Sequence, residues 1–303
     1  MFSNYIFRSH MVGNIISLPK PLTENQLSTL IDYEARALGS GKPLTENQKE
    51  TLTELRYKQI QSKKYELTTT AKKALNDIVF YNKYGRQALL ENKYLTKGLV
   101  QEKGARDILS RLLNIPLVAD GERRQNEWVT GKRDIMHSEV ILDIKAKWDF
   151  ESFNKSLIES TNDVYLWQLD CYMDLWGIKD ALLCHVLIDT PNTLVEREIK
   201  IKDYSLNILD MGGNVREEMI PEVKKIVSNS IYTRDGLESF CNESPNVMLE
   251  WFDDFVEIPE SARVHMIQHT YDKTRIEQRN EVIKIARTYM NSVKPLNNII
   301  ELV

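Results

Sequence analysis

Two periods of hydrophobicity run through this chain. Residues 97–113, KGLVQEKGARDILSRLL, set Leu99, Val100, Ala105, Ile108, Leu109 and Leu112 at helical spacing, which predicts an amphipathic helix. Short segments of strand character follow: NEWVT at 126–130, RDIMH at 133–137 and EVILDIKAK at 139–147. Helical text resumes at about 150–159 and 162–177. DALLCHVLID, 180–189, is a compact apolar run suited to a buried strand. Residues 196–202, EREIKIK, alternate polar and apolar, as a half-exposed strand does. From about 215 the spacing is helical again, over 216–230, 233–242 and 261–293, the last carrying Val264, Ile267, Tyr271, Ile276, Val282 and Ile283 toward one face.

The N-terminal text repeats itself. PLTENQ occurs at 21–26 and again at 43–48, each time with Thr three residues before Gln: Thr23 with Gln26, Thr45 with Gln48. That is a capping box, in which the Thr hydroxyl and the Gln amide satisfy free backbone groups at a helix start. Two helices are expected, 24–38 and 46–64, separated by Gly39-Ser40-Gly41; a third runs from Thr70 to Tyr84 and ends at Gly85. Gly39-Ser40-Gly41-Lys42 is not a phosphate loop, because Pro43 follows the Lys and no strand precedes it. The order of elements predicts an α/β core inside helical additions: a helical extension over 1–94 packed on the core, the core over 95–202, and a helical region over 203–303.

Composition narrows the class. The chain has 303 residues, 42% hydrophobic, with a mean hydropathy of −0.40, and no run of eighteen apolar residues, so no membrane span is expected. Its first twenty residues lack a basic start, a continuous apolar stretch and a small-residue cleavage site, so no secretory signal is expected either. Cys171, Cys184 and Cys241 are odd in number and widely spaced, which suggests neither a disulfide framework nor a zinc ribbon and fits a reducing cytosol. The net charge of −4 is not that of an obvious nucleic-acid binder. It is unevenly spread: residues 203–303 carry 11 basic and 17 acidic side chains, while 83–147 carry 13 basic and 9 acidic.

Within that basic stretch lies the candidate chemistry. Asp143 and Lys145 flank Ile144 in a strong strand signal, so alternation turns both to the same side as Ile141. Alone, such a triplet reads as a wet strand face. Asp134, nine residues earlier, begins a short strand, and a tight turn at 137–139 would bring it beside Asp143. Two adjacent carboxylates raise one another's pKa unless a cation neutralises them, and Mg²⁺ or Mn²⁺ favours such oxygen ligands. Glu102 stands on the preceding helix, three residues after Leu99 and four before Arg106; alone it reads as an ordinary border residue. On the helix after the Asp143 strand, Gln168 and Tyr172 lie one turn apart, each with a polar group that needs a partner. His265 and His269, four apart, are most simply a surface pair.

Glu on a first helix, Asp at a strand start, D-x-K on the next strand and Gln168-Leu169-Asp170-Cys171-Tyr172 as QLxxY on the following helix resemble the PD-(D/E)XK nucleases. The QLxxY element looks like the RecB-type branch, with the lambda-exonuclease and YqaJ proteins of phages and prophages. The resemblance covers about 65–190, including LTTTAKKAL, NKYGR and KYLTKGLVQE; Arg133 stands where the family's name places Pro. It implies a restriction-endonuclease-like fold with a central mixed sheet. It also implies a metal-dependent deoxyribonuclease, of the exonuclease kind used in recombination or repair, that leaves 5′-phosphates. Glu102, Asp134, Asp143 and the Ile144 carbonyl would hold one or two Mg²⁺ or Mn²⁺ ions. Lys145 would activate water, Gln168 would orient it, and Tyr172, Lys147, Trp148, Arg106 and Lys103 would contact DNA. No iron–sulfur cluster is expected, since that branch needs four cysteines. The implied partners are DNA, a phage single-strand annealing protein and further copies of the chain, in the host cytosol. A structure-specific or restriction-type endonuclease on the same core, a non-catalytic DNA-binding or phage-assembly protein, and a helical interaction protein are the alternatives.

Overall fold

A computed structural model describes residues 1–19, 21–62, 64–86, 93–158 and 163–293; of 93–96 and Leu99 only the backbone is described, so Leu99, the expected neighbour of Glu102, lies outside the described side chains. In chain order the elements are β1 (Phe7–Arg8), α1 (Ser9–Ile15), α2 (Glu24–Ala37), α3 (Glu46–Gln61), α4 (Thr69–Tyr84), α5 (Lys93–Leu113), β2 (Arg123–Gln125), β3 (Val129–Lys132), β4 (Ile135–His137), β5 (Val140–Lys147), α6 (Phe150–Ile158), α7 (Asp163–Trp176), β6 (Asp180–Leu187), α8 (Asn192–Leu206), α9 (Ile220–Ser228), α10 (Arg234–Glu243), β7 (Val264–Thr270) and α11 (Lys273–Ser292).

They form two compact units, one of Met1–Gln87 with Asp272–Val303, the other of Ala88–Tyr271. In the first, both repeated PLTENQ starts are capping boxes: Thr23 and Thr45 accept from the backbone of Gln26 and Gln48, whose side chains answer the N-cap N–H groups. The two helices pair through Leu30, Leu52 and Leu55. Gly85 closes α4 in the left-handed conformation, φ 63°, where a side chain would be strained.

In the second unit a four-stranded mixed sheet has the order β4-β5-β6-β7. Strands β4 and β5 form an antiparallel hairpin, β5 and β6 run parallel, and β7 returns antiparallel on the edge. Parallel strands need a long crossover, which α6 and α7 supply. Strand alternation then sorts the side chains. Leu142, Ile144, Cys184 and Val186 pack under α5 through Ala105, Ile108 and Leu109. Ile141, Ala181 and Leu183 pack under α7 through Leu169, Tyr172, Met173 and Trp176. Helices α8, α9 and α10 build a separate apolar cluster around Val195, Val223, Leu237 and Phe240. Strands β2 and β3 pair antiparallel as a ribbon that leads into the main sheet.

Two expectations are corrected. Residues 196–202 are helix α8, because the period that reaches the core is four: Val195 and Ile199 are buried while Ile201 is exposed. Residues 264–270 are strand β7 rather than the start of a long helix. The true helix start is Asp272, whose carboxylate accepts from the Thr274 N–H at 2.8 Å. Strand β7 belongs to the unit that holds the sheet, and α11 to the unit of the N-terminal helices.

Candidate active site

The β4–β5 hairpin turns on Ser138 and Glu139, both at positive φ, 47° and 62°. Two such residues match the twist of a tight two-residue turn. The register that follows is His137–Val140, Met136–Ile141 and Ile135–Leu142; one residue further it sets Asp134 opposite Asp143. Asp134 Oδ2 accepts from the Ile144 N–H at 3.1 Å. Asp143 is almost wholly buried.

Asp143 and Lys145 point to the α7 side, where Gln168 meets them. Its Nε2 donates to Asp143 Oδ1 at 3.3 Å and to the Tyr172 hydroxyl at 2.7 Å, and its Oε1 accepts from Lys145 Nζ at 3.2 Å. Every polar position of that amide has a named neighbour, so its orientation is set by the network. Lys145 Nζ also lies 2.7 Å from Asp143 Oδ2. The approach is an ion pair outside hydrogen-bonding angles, which leaves that buried oxygen without a hydrogen bond. The ammonium sits 5.1 Å from the centre of the Tyr165 ring.

The charges follow from burial. Burial first, and then the Asp143 charge, push the Asp134 carboxyl up to about 7; Lys145 and the Ile144 N–H pull the other way, and Glu102 adds to the rise. Burial draws the Lys145 ammonium down, but Asp143, Asp134 and Tyr165 outweigh it and hold it above its ordinary value. Burial, with Asp143 and Asp134, raises the Tyr172 hydroxyl and pushes the Cys184 thiol up to about 12, so both keep their protons at neutral pH.

Asp134, Asp143, Lys145, Gln168 and Tyr172, with the Ile144 backbone, thus stand together. Glu102 is exposed on α5 and joins the group through its charge at Asp134. Among the described residues no group of three or more His, Cys, Asp or Glu side chains is gathered closely enough to hold a metal ion. Lys103 pairs with Asp107 on its own helix at 3.5 Å, and Arg106 is half-buried there. Lys147 is half-buried on β5, its charge felt at His185. The Trp148 carbonyl accepts from Lys97 Nζ at 2.8 Å, and its ring lies 5.9 Å from that ammonium.

Several neighbours escaped the sequence reading. Tyr165 lies three residues before Gln168, so helical spacing alone could have placed it on the same face. Lys97 is fully buried, binds the Trp148 carbonyl and Thr190 Oγ1, and has its ammonium lowered to about 7 by burial, against Asp189 and Asp149. Its signal was a lysine at a stripe position of α5, shared with Ala105 and Ile108. Gly104 belongs to the same packing: a Cβ there would meet Ile188 Cδ1 at 2.6 Å, so any larger residue would make that side chain shift. His269 is no metal-site partner of His265 on a helix. It lies on β7 with its Nε2 2.7 Å from Asp170 Oδ1, and Asp170 is fully buried on α7. His265 lies opposite His185, with the rings stacked at 6.3 Å.

No family model and no curated protein matches the chain. Among solved structures it is similar to a phage-related exonuclease from Haemophilus somnus 129PT, with a TM-score of 0.57, 21% identity, and coverage of 95% of this chain and 94% of that one. The fold is that of a phage-type exonuclease. An alkaline exonuclease from Laribacter hongkongensis also overlays, at a TM-score of 0.45 and 8% identity over 74% of this chain and 81% of that one, a likeness that carries no weight of its own. The fold is the mixed α/β core that was expected, with Asp143 and Lys145 on the second strand of the four-stranded sheet and Gln168 on the helix that covers it. Among the described residues no helix is long and apolar enough to cross a membrane.

Proposed function

We propose that this chain is a divalent-metal-dependent deoxyribonuclease that hydrolyses phosphodiester bonds, working from DNA ends. The observation that carries the reading is the meeting of Asp134, Asp143, Lys145 and Gln168, from two strands and a helix, on an exonuclease-type fold.

The residues fit a hard cation. Asp134, half-buried, and Asp143, almost wholly buried, are a carboxylate pair. One has its pKa raised, and the other has an oxygen without a hydrogen bond; Lys145 is the positive charge beside them. Asp134, Asp143, the Ile144 carbonyl and Glu102 from α5 would hold the ion. When bound, Mg²⁺ or Mn²⁺ makes a coordinated water more acidic and offsets charge gathering on the phosphate. Lys145 keeps its proton and, 22% exposed, can donate from Nζ to the attacking water or to a phosphate oxygen. Gln168 holds Lys145 through Oε1 and Asp143 through Nε2, so base strand and covering helix share one geometry. Tyr172 fixes the remaining Nε2 hydrogen and keeps that amide from flipping. The recombination setting, an annealing protein as partner, self-assembly and a cytosolic place of action are carried by the family resemblance.

The test is digestion of end-labelled linear duplex and of closed circular DNA in Mg²⁺, Mn²⁺ or EDTA. The expected result is loss of the linear DNA only with metal, slowed at least about 100-fold by Lys145→Met, the usual scale for a positioned proton donor. Cleavage that is unchanged in EDTA or in a folded Lys145→Met variant would overturn the proposal.

A further inference from the structure

The β2–β3 ribbon carries charge in a way that folding alone does not explain. Two of its arginines are matched by carboxylates. Arg124 pairs with Glu122 at 2.6 Å and lies 5.5 Å from the Trp176 ring centre. Arg133, just past the ribbon, donates to Asp120 at 2.6 Å and to Glu122 at 2.8 Å and lies 4.9 Å from the same ring. Both guanidiniums thus lie near Trp176, which itself donates to Glu122 at 3.1 Å.

The next pair is different. Arg123 and Lys132 stand directly opposite one another in the register, both exposed. Among the described residues neither makes an ion pair or a side-chain hydrogen bond. Directly opposed cross-strand side chains are about 5 Å apart at Cβ, and like charges there oppose pairing. The ribbon therefore holds two cations together at a cost to itself, on a backbone pinned from behind by Trp176. Lys132 is two residues before Asp134, roughly 7 Å of extended chain.

We propose that Arg123 and Lys132 form a contact surface for the phosphodiester backbone of nucleic acid. They seat the strand beside the carboxylate pair. The anion supplies the charge that the fold withholds, and its binding relieves the repulsion. This rests on the nuclease reading for the identity of the ligand, and on the ribbon alone for its place.

Binding is measured by fluorescence anisotropy with a labelled duplex in EDTA, over a range of salt, so that no hydrolysis is needed. Two phosphate contacts account for a salt slope of about 2 and for roughly thirtyfold in affinity at physiological salt. Arg123→Gln with Lys132→Gln is expected to lose about that much affinity and slope without lowering Tm. Lys132→Glu is expected to weaken binding as well while raising Tm, because it creates a cross-strand pair with Arg123. Unchanged affinity and slope in folded variants, or a wild-type chain that does not bind DNA, would overturn the proposal. A wild-type chain that binds with this slope yet cleaves nothing leaves the ribbon standing and removes the nuclease. One that cleaves, with variants that bind as it does, removes the ribbon alone.

Discussion

Asp134→Asn should make the metal-free protein more stable at neutral pH. The folded state holds the Asp134 proton up to about pH 7, while the unfolded chain releases it near 3.8. Between those values the native state binds more protons than the unfolded one, so this group's contribution to stability is present at low pH and is lost as pH rises. Linkage with these two pKa values gives a penalty of about 1 kcal/mol at pH 4.5 and about 4 kcal/mol at pH 7.5. An asparagine keeps an oxygen for the Ile144 N–H and has no charge to bury. The Tm advantage of the variant over the wild type, in EDTA, should therefore widen by about 3 kcal/mol between pH 4.5 and 7.5. For a unit of about 180 residues that is roughly 6–12 °C. Thermal denaturation followed by circular dichroism at both pH values reads it directly. Adding Mg²⁺ at pH 7.5 should raise the wild-type Tm and leave the variant's unchanged. A gap that stays constant across this pH range would refute the claim that Asp134 is a buried carboxylate strained by Asp143.

Two further outcomes follow from the network around it. Tyr172→Phe removes the acceptor of the 2.7 Å bond from Gln168 Nε2, so stability should fall by about 1–3 kcal/mol in a urea titration, while DNA cleavage keeps its metal dependence. His269→Ala removes the 2.7 Å hydrogen-bond partner of the fully buried Asp170, and a loss of about 1–3 kcal/mol is expected; an unchanged urea midpoint would show that Asp170 is held by other groups.

The hairpin residues were legible because their signals are local. A period of two fixes which side Asp143 and Lys145 share, and a short turn fixes which residue faces Asp143. Gln168 and Tyr172 were legible for the same kind of reason, one helical turn apart with polar groups to satisfy. The repeated PLTENQ starts carry their own hydrogen-bond partners within four residues and fold as written. Where the reading failed, two periods competed. EREIKIK satisfies alternation, but Val195 and Ile199 reach a core that lies four residues apart along a helix. VHMIQHT can be read as a helix until the free edge of β6 offers it a partner.

By itself the sequence determined the helix–strand–helix order around Asp143, the two PLTENQ helix starts and the set of polar residues able to do chemistry, since each rests on contacts between near neighbours in the chain. Only the tertiary structure decided that β7 completes the sheet, that Lys97 is buried across the ends of two strands, and that, among the described residues, Arg124 and Arg133 find carboxylates while Arg123 and Lys132 do not. Those outcomes depend on which distant segments pack together, and so on how much charge each site must carry without water.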